Sequence, residues 1–138
     1  MQTYIALFRG INVGGRNSIK MADLRSLLEN LGLEDVQSYI QSGNVVFRSG
    51  NTDLTELVDR ISKSIEENHG FAPRVLILAQ DEFEKTIAKN PFPEAESDDR
   101  RLHINFLSGI PENPDLDALA DCAENRIHEK GTVKIRIP

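Results

Sequence analysis

A short segment near the amino terminus, residues 9–18 (RGINVGGRNS), combines glycines with side chains that can hold an anion. Glycine lets the main chain adopt positive φ values, and backbone N–H groups exposed in this way bind anions together with arginine side chains. The residue types therefore predict a binding loop for a small phosphate-bearing molecule, and they do not predict a set of catalytic groups.

The residues on either side of this loop are predicted to form a strand and a helix. Residues 4–8 (YIALF) are a continuous apolar run, which is typical of a strand buried on both faces. Apolar residues recur at helical spacing from Met21 to Leu31, and Gly32 is a stop signal. The loop is expected to lead from a central strand to a helix N-terminus, where the helix dipole favours anions.

The next segments complete one predicted domain. Residues 36–40 and 45–47 read as a β-hairpin joined through 41–44 (QSGN). A second helix is predicted from a capping box at Asp53 to a stop at Gly70, and residues 75–78 (VLIL) predict a fourth strand. The order βαββαβ over residues 1–80 predicts an α+β fold, a ferredoxin-like α/β plait with both helices on one face.

Residues 81–138 predict a connector helix followed by an incomplete second plait of order βαββ. Alternating apolar residues at 102–106 predict its first strand, and residues 126–137 its hairpin. The closing helix and strand would come after Pro138, so the strand at 102–107 is expected to be an exposed edge. This edge predicts a longer parent protein, which we favour, or a homodimer.

In the predicted topology, three loops converge at one end of the first sheet: residues 9–18, 41–44 and 68–71. The candidate ligand-binding residues at this rim are Arg9, Asn12, Gly14, Gly15, Arg16, Asn17, Lys20, Ser42, Gly43, Asn44 and His69. A plainer explanation is that the glycines only permit a long turn and that the asparagines bond their own backbone. Arg9 alternates with Ile5 and Leu7, so it equally fits a structural ion pair on the sheet surface.

Two well-known phosphate-binding motifs are disfavoured. Residues 10–18 nearly fit G-x-x-x-x-G-K-[ST], but Arg16 replaces the lysine and Asn17 replaces the hydroxyl that holds magnesium. Strand four of the plait also runs away from the loop, which places Asp81 at the opposite end of the sheet. The spacing of Gly10, Gly14 and Gly15 does not fit the dinucleotide motif G-x-G-x-x-G.

Charge and composition restrict the class of partner. With Asp+Glu 22 against Lys+Arg 16 and a net charge of -6, broad nucleic-acid binding is unlikely. A local basic patch is still compatible with anion binding, because charges beyond about 8 Å are screened. Cys122 is the only cysteine and the histidines are scattered, so we expect no disulfide, metal or cofactor. The absence of a signal peptide or an apolar span predicts a cytoplasmic, non-membrane protein.

Several motifs resemble the bacterial domain-of-unknown-function family 1697. They are YIALFRGINVGG at 4–15, KMADL at 20–24, YIQSGNVVF at 39–47, NPFP at 90–93 and LHINFL at 102–107. The resemblance implies two ferredoxin-like plaits and a chain that continues past residue 138. It brings no established activity, so it assigns no catalytic residue.

Three functions fit these observations. The favoured one is a cytoplasmic, non-catalytic module that binds a nucleotide or phosphorylated metabolite at the rim. An enzyme acting on phosphate esters would use Arg16 and Lys20 to stabilise charge and His69 as an acid or base. A protein-interaction module would use the helix-free sheet face or the edge of the second domain. No nucleophile, base and orienting group can be assembled from the sequence, which favours binding over catalysis.

Overall fold

The computed structural model describes residues 1–41, 43–97, 104–107, 112–113, 115 and 117. The chain divides into two compact units, Met1–Phe83 and Glu84–Pro138. The described elements are β1 (Gln2–Arg9), α1 (Met21–Asn30), β2 (Glu34–Tyr39), β3 (Asn44–Ser49), α2 (Leu54–His69), β4 (Arg74–Ala79), α3 (Gln80–Ala88) and a 3₁₀ turn (Pro93–Ala95).

The first unit is built on a four-stranded sheet of order β2-β3-β1-β4. Every neighbouring pair of strands is antiparallel. The mixed α/β class and the predicted βαββαβ order of the first elements are confirmed. β1 lies between two strands and carries the run of apolar residues that indicated a central strand.

One face of this sheet carries both α1 and α2. Tyr4, Ala6 and Phe8 of β1 belong to the buried cluster formed with these helices. Phe47 of β3 is fully buried, and its ring stacks on Tyr4 with centroids 5.8 Å apart. α1 packs against β2, whereas α2 packs against β4. The prediction that the helices cover one face is confirmed.

The ends of α2 follow the sequence signals with one difference. Asp53 Oδ1 accepts hydrogen bonds from the backbone N–H groups of Thr55 and Glu56, each at 3.0 Å. In a full capping box the side chain of Glu56 would accept a hydrogen bond from Asp53 N. Here Asn51 Oδ1 accepts it instead, at 2.9 Å. Gly70 ends the helix with φ 78. A left-handed glycine is the usual C-terminal stop.

The sheet face opposite the helices is only partly open to solvent. Ile5 and Leu78 lie directly opposite one another on β1 and β4, and they are 9% and 6% exposed. On the β2–β3 side, Val46 is 41% exposed and Tyr39 is 72% exposed. The open apolar face expected of an interaction module is therefore restricted to this side.

Most of the predicted second plait lies outside the described residues. Residues 104–107, within its predicted first strand, have no regular secondary structure in the described part. The hairpin predicted at 126–137 is not described, so the second plait, its edge and a homodimer through it stay predictions. In the described ranges, no helix has the length and apolar character that a membrane crossing requires.

Candidate functional site at the end of β1

The strand register brings the predicted loops to one end of the sheet. Leu7 near the end of β1 pairs with Asn44 at the start of β3, and Arg9 pairs with Arg74 at the start of β4. The loop after β1, the β2–β3 turn and the segment before β4 therefore share this end. The backbone N–H of Phe8 donates to Gly43 O at 2.9 Å, so the first strand is tied directly to the turn.

The loop between β1 and α1 folds into a small hairpin of its own. Arg16 N donates to Val13 O, and Asn12 N donates to Asn17 O, both at 3.1 Å. The two central residues of this turn, Gly14 and Gly15, have φ values of 58° and 74°. Positive φ at both positions is the signature of a type I′ turn, which glycine forms readily. An added Cβ at either glycine would meet no atom within 4 Å, so the tip projects from the protein.

The two asparagines of the loop hold it in shape. The side chain of Asn12 accepts from Ile19 N at 2.8 Å and donates to Ile19 O at 2.9 Å. It also donates to Gln41 O at 3.3 Å, which joins the loop to the β2–β3 turn. Asn17 Nδ2 donates to Gly10 O at 3.0 Å. The plainer explanation considered for these residues is therefore observed, and their amide N–H groups are engaged within the protein.

Gly43 is also a structural residue. Its φ is 77°, and an added Cβ would lie 2.7 Å from Ile11 Cδ1 and 2.8 Å from Phe8 Cβ. The β2–β3 turn can approach the loop because this residue has no side chain. Asn44 is half-buried at the start of β3, and Ser42 lies outside the described residues.

Arg16 and Lys20 are two exposed cations on the segment between β1 and α1. Ion pairs in the described part of the chain join Arg48 to Asp35, Arg60 to Glu56 and Lys63 to Glu67, and neither Arg16 nor Lys20 takes part in one. The converging segments 9–20, 39–44 and 69–74 contain no Asp or Glu. The formal charges on these three segments are therefore all positive, although the whole chain is acidic.

Lys20 also occupies the N-cap of α1. Its side chain makes no capping hydrogen bond. The N–H groups of the first helical turn carry the positive end of the helix dipole, and an uncapped turn leaves them available to an anion. Asp23, in the same turn, already supplies one negative charge. The helix end therefore assists the cations and is not a strong site by itself.

His69 comes shortly before β4 in the chain. It is the last residue of α2, which packs against β4, whereas the loop leads to α1, which packs against β2. Its ring lies 6.4 Å from the ring of Phe71, and no hydrogen bond joins it to a described loop residue. Its role as acid or base beside Arg16 stays a prediction.

Arg9 and Arg74 form a cross-strand pair, of which only Arg9 is a candidate residue in the sequence. Arg9 was a candidate, but its expected ion pair with a carboxylate is not found among the described residues. Its direct neighbour on β4 is Arg74. The expectation that strand four runs away from the loop, and so begins beside it, was the signal that could have pointed to Arg74.

Comparison with known proteins places this arrangement in a family. Residues 1–134 match the family described as "Protein of unknown function (DUF1697)". The chain belongs to the DUF1697 family. This confirms the resemblance carried by the motifs, two of which form the loop and the turn that meet at Gly43.

A solved structure is similar to this DUF1697 chain. It is the conserved bacterial protein SP0830 from Streptococcus pneumoniae, with 34% identity and a TM-score of 0.60. The similarity covers 89% of this chain and 66% of that chain, so the present chain spans about two thirds of the relative's length. No curated protein matches the sequence. The comparisons establish no function, which agrees with the expectation from the sequence.

The charged side chains of the three segments at this end of the sheet are those of Arg9, Arg16, Lys20 and Arg74. Arginine and lysine side chains donate hydrogen bonds to anions.

β4 runs away from the loop, because Ala79 at its end pairs with Tyr4 near the start of β1. Asp81 follows the end of β4 and therefore lies at the far end of the sheet from the loop, as the plait topology predicts. In the described part of the chain, no cluster of His, Cys, Asp and Glu could hold a metal ion.

Proposed function

We propose that this DUF1697 protein is a cytoplasmic, non-catalytic module that binds a small phosphate-bearing ligand at the loop of residues 9–18. The observation that carries the proposal is the position of Arg16 and Lys20. Both are exposed, neither has an ion-pair partner among the described residues, and no carboxylate occurs in the segments that converge there.

The loop is suited to this role because hydrogen bonds within the protein hold its shape without a ligand. The side chain of Asn12 fixes it to Ile19 and to the β2–β3 turn, and the type I′ turn fixes its tip. Ordering a flexible segment on binding would cost free energy, and a loop that is already ordered avoids this cost. A phosphate group would accept hydrogen bonds from the Arg16 guanidinium, the Lys20 ammonium and the first turn of α1.

The proposed fold is a ferredoxin-like plait in residues 1–80, followed by an incomplete second plait in residues 81–138. The support is the sheet order β2-β3-β1-β4 with antiparallel neighbours and the helices on one face. In such a unit the β1 loop and the β2–β3 turn must share one end of the sheet. The proposed ligand site is thus a product of the topology.

Thermal unfolding with a panel of anions tests the proposed site. Inorganic phosphate, pyrophosphate and nucleoside monophosphates are compared with chloride at equal ionic strength. A ligand at about 100 times its Kd adds about 2.7 kcal/mol to the free energy of unfolding, which raises Tm by several degrees. We expect at least one phosphate compound to do so for the wild type, and the double variant R16Q/K20Q to show a smaller shift.

The matched control is Lys63→Gln, which removes an exposed cation of α2 that lies 3.9 Å from Glu67 in an i,i+4 pair. It should keep the full ligand-induced shift. A panel that shifts nothing, or a shift of equal size in the wild type and R16Q/K20Q, would show that the loop is not an anion site.

A further inference from the structure

Arg9 and Arg74 occupy directly opposite positions on β1 and β4. Their neighbours Phe8 and Val75 face the cluster under the helices. Because side chains alternate along a strand, both arginines lie on the face away from α1 and α2. Opposed residues of an antiparallel pair have Cβ atoms roughly 4.5–5.5 Å apart. Two guanidinium groups therefore share one exposed corner of the sheet.

The charge of this pair is not compensated within the described protein. Like charges directly opposite one another destabilise a sheet, and a carboxylate normally neutralises them. Arg48, on the same face, has Asp35 at 3.0 Å. Neither Arg9 nor Arg74 takes part in an ion pair with a described residue, and segments 1–22 and 68–80 contain no Asp or Glu. The repulsion is a cost that a bound anion would remove.

We infer that Arg9 and Arg74 together bind a tetrahedral oxyanion, such as inorganic phosphate or the phosphate group of a small molecule. Each planar guanidinium can donate two parallel hydrogen bonds, and a phosphate has enough oxygens to accept from both. Leu7 and Leu76, also opposed, form the next row of the same face and are partly buried. Such apolar neighbours lower the local dielectric constant and strengthen the attraction.

This corner is separate from the loop tip. The loop leads from the sheet to α1 on the helix-covered face, whereas the arginine pair lies on the opposite face. The inference shares Arg9 with the proposed function but does not need Arg16 or Lys20. It adds Arg74, which is not among the candidate residues predicted from the sequence.

The experiment is a titration of the whole chain with inorganic phosphate, with chloride at equal ionic strength as the reference. Tm and the NMR signals of the arginine Nε–H groups are followed for the wild type, R9Q, R74Q and R16Q/K20Q. We expect phosphate to shift the Arg9 and Arg74 signals in the wild type and in R16Q/K20Q. R9Q and R74Q should each lose the response of the remaining partner.

Two further variants make the test specific. Arg74→Lys keeps the charge but loses the planar fork, and it should weaken phosphate binding roughly tenfold, as expected for one lost charge-assisted hydrogen bond. Arg48→Gln removes a cation of the same face and should leave phosphate binding unchanged. Without phosphate, R74Q should melt at the same temperature as the wild type or slightly higher, because the repulsion is relieved.

The two proposals fail in different ways. If phosphate left the Arg9 and Arg74 signals unchanged but raised Tm, and R16Q/K20Q abolished this Tm shift, the arginine-pair site would be overturned and the loop site would stand. A response confined to Arg9 and Arg74 would do the reverse. Equal phosphate affinity in R74Q and Arg48→Gln would also overturn the inference.

Discussion

Gly43 and Ile11 are in such close contact that no side chain fits between them. An added Cβ on Gly43 would lie 2.7 Å from Ile11 Cδ1, and Gly43 O accepts the backbone N–H of Phe8 at 2.9 Å. Ile11 itself is 3% exposed. The position of the candidate binding loop therefore depends on a glycine in a different hairpin.

Gly43→Ala should lower the free energy of unfolding by about 2–5 kcal/mol. Positive φ costs a residue with a Cβ about 1–2 kcal/mol, and overpacking adds about 1–3 kcal/mol. Urea unfolding measures the sum. Gly14→Ala is the matched control, since it has φ 58 but nothing within 4 Å of an added Cβ. Gly14→Ala should lower the free energy of unfolding only by the about 1–2 kcal/mol that positive φ costs. Equal losses in the two variants would show that the contact with Ile11 has no energetic weight.

The first unit could be predicted because each of its segments carries its own local signal. Apolar spacing defines α1 and α2, and Asp53 and Gly70 mark the ends of α2 in the sequence. The start of β2 was less visible. The strand begins at Glu34, two residues before the predicted start, and its register shifts between Glu34 and Gln37. Asp35 has φ 52 at this irregularity. Nothing in the local pattern indicates such a bulge.

The convergence of the loops was predictable from topology, but the roles of the side chains were not. An asparagine that binds a ligand and one that bonds its own backbone look the same in a sequence. Only the path of the loop brings Asn12 to Ile19. Arg74 was missed for a related reason, because its importance depends on the register between β4 and β1. Register across a sheet depends on distant contacts, which the residues around Arg74 do not reveal.

Asn12→Gly should destabilise the protein by about 1–3 kcal/mol. Asn12 has φ 55, which glycine adopts without strain, so the variant removes the side chain without straining the folded backbone. Ile19 is 3% exposed, and its N–H and C=O would lose the Asn12 partner. An unsatisfied buried backbone group costs about 1–3 kcal/mol.

Amide hydrogen exchange provides the second measurement for this variant. The Ile19 N–H should exchange faster in Asn12→Gly than in the wild type. Asn17→Gly is the control: its φ is 50, and its side chain donates a single exposed hydrogen bond to Gly10 O. A smaller loss of stability is expected there. If Asn17→Gly proved the more damaging change, Asn12 would not be the residue that holds the loop.

Ile40, in the β2–β3 turn, combines strain with exposure. It has φ 47 and is 66% exposed. Left-handed φ is uncommon for any residue with a Cβ and especially unfavourable for a β-branched one, whereas asparagine tolerates it better. Ile40→Asn should therefore raise the free energy of unfolding by about 1 kcal/mol, measured by urea unfolding.

Val46→Asn is the comparison for Ile40→Asn, because Val46 is 41% exposed but lies within β3. Asparagine has low strand propensity, so this variant should be neutral or destabilising. If Ile40→Asn raised the free energy of unfolding, the strain at Ile40 would outweigh any packing that its side chain provides within the chain. Exposed Tyr39 and Val13 would then be the next residues to test for contact with another molecule. A loss of stability in Ile40→Asn would instead show that Ile40 supports the turn through packing.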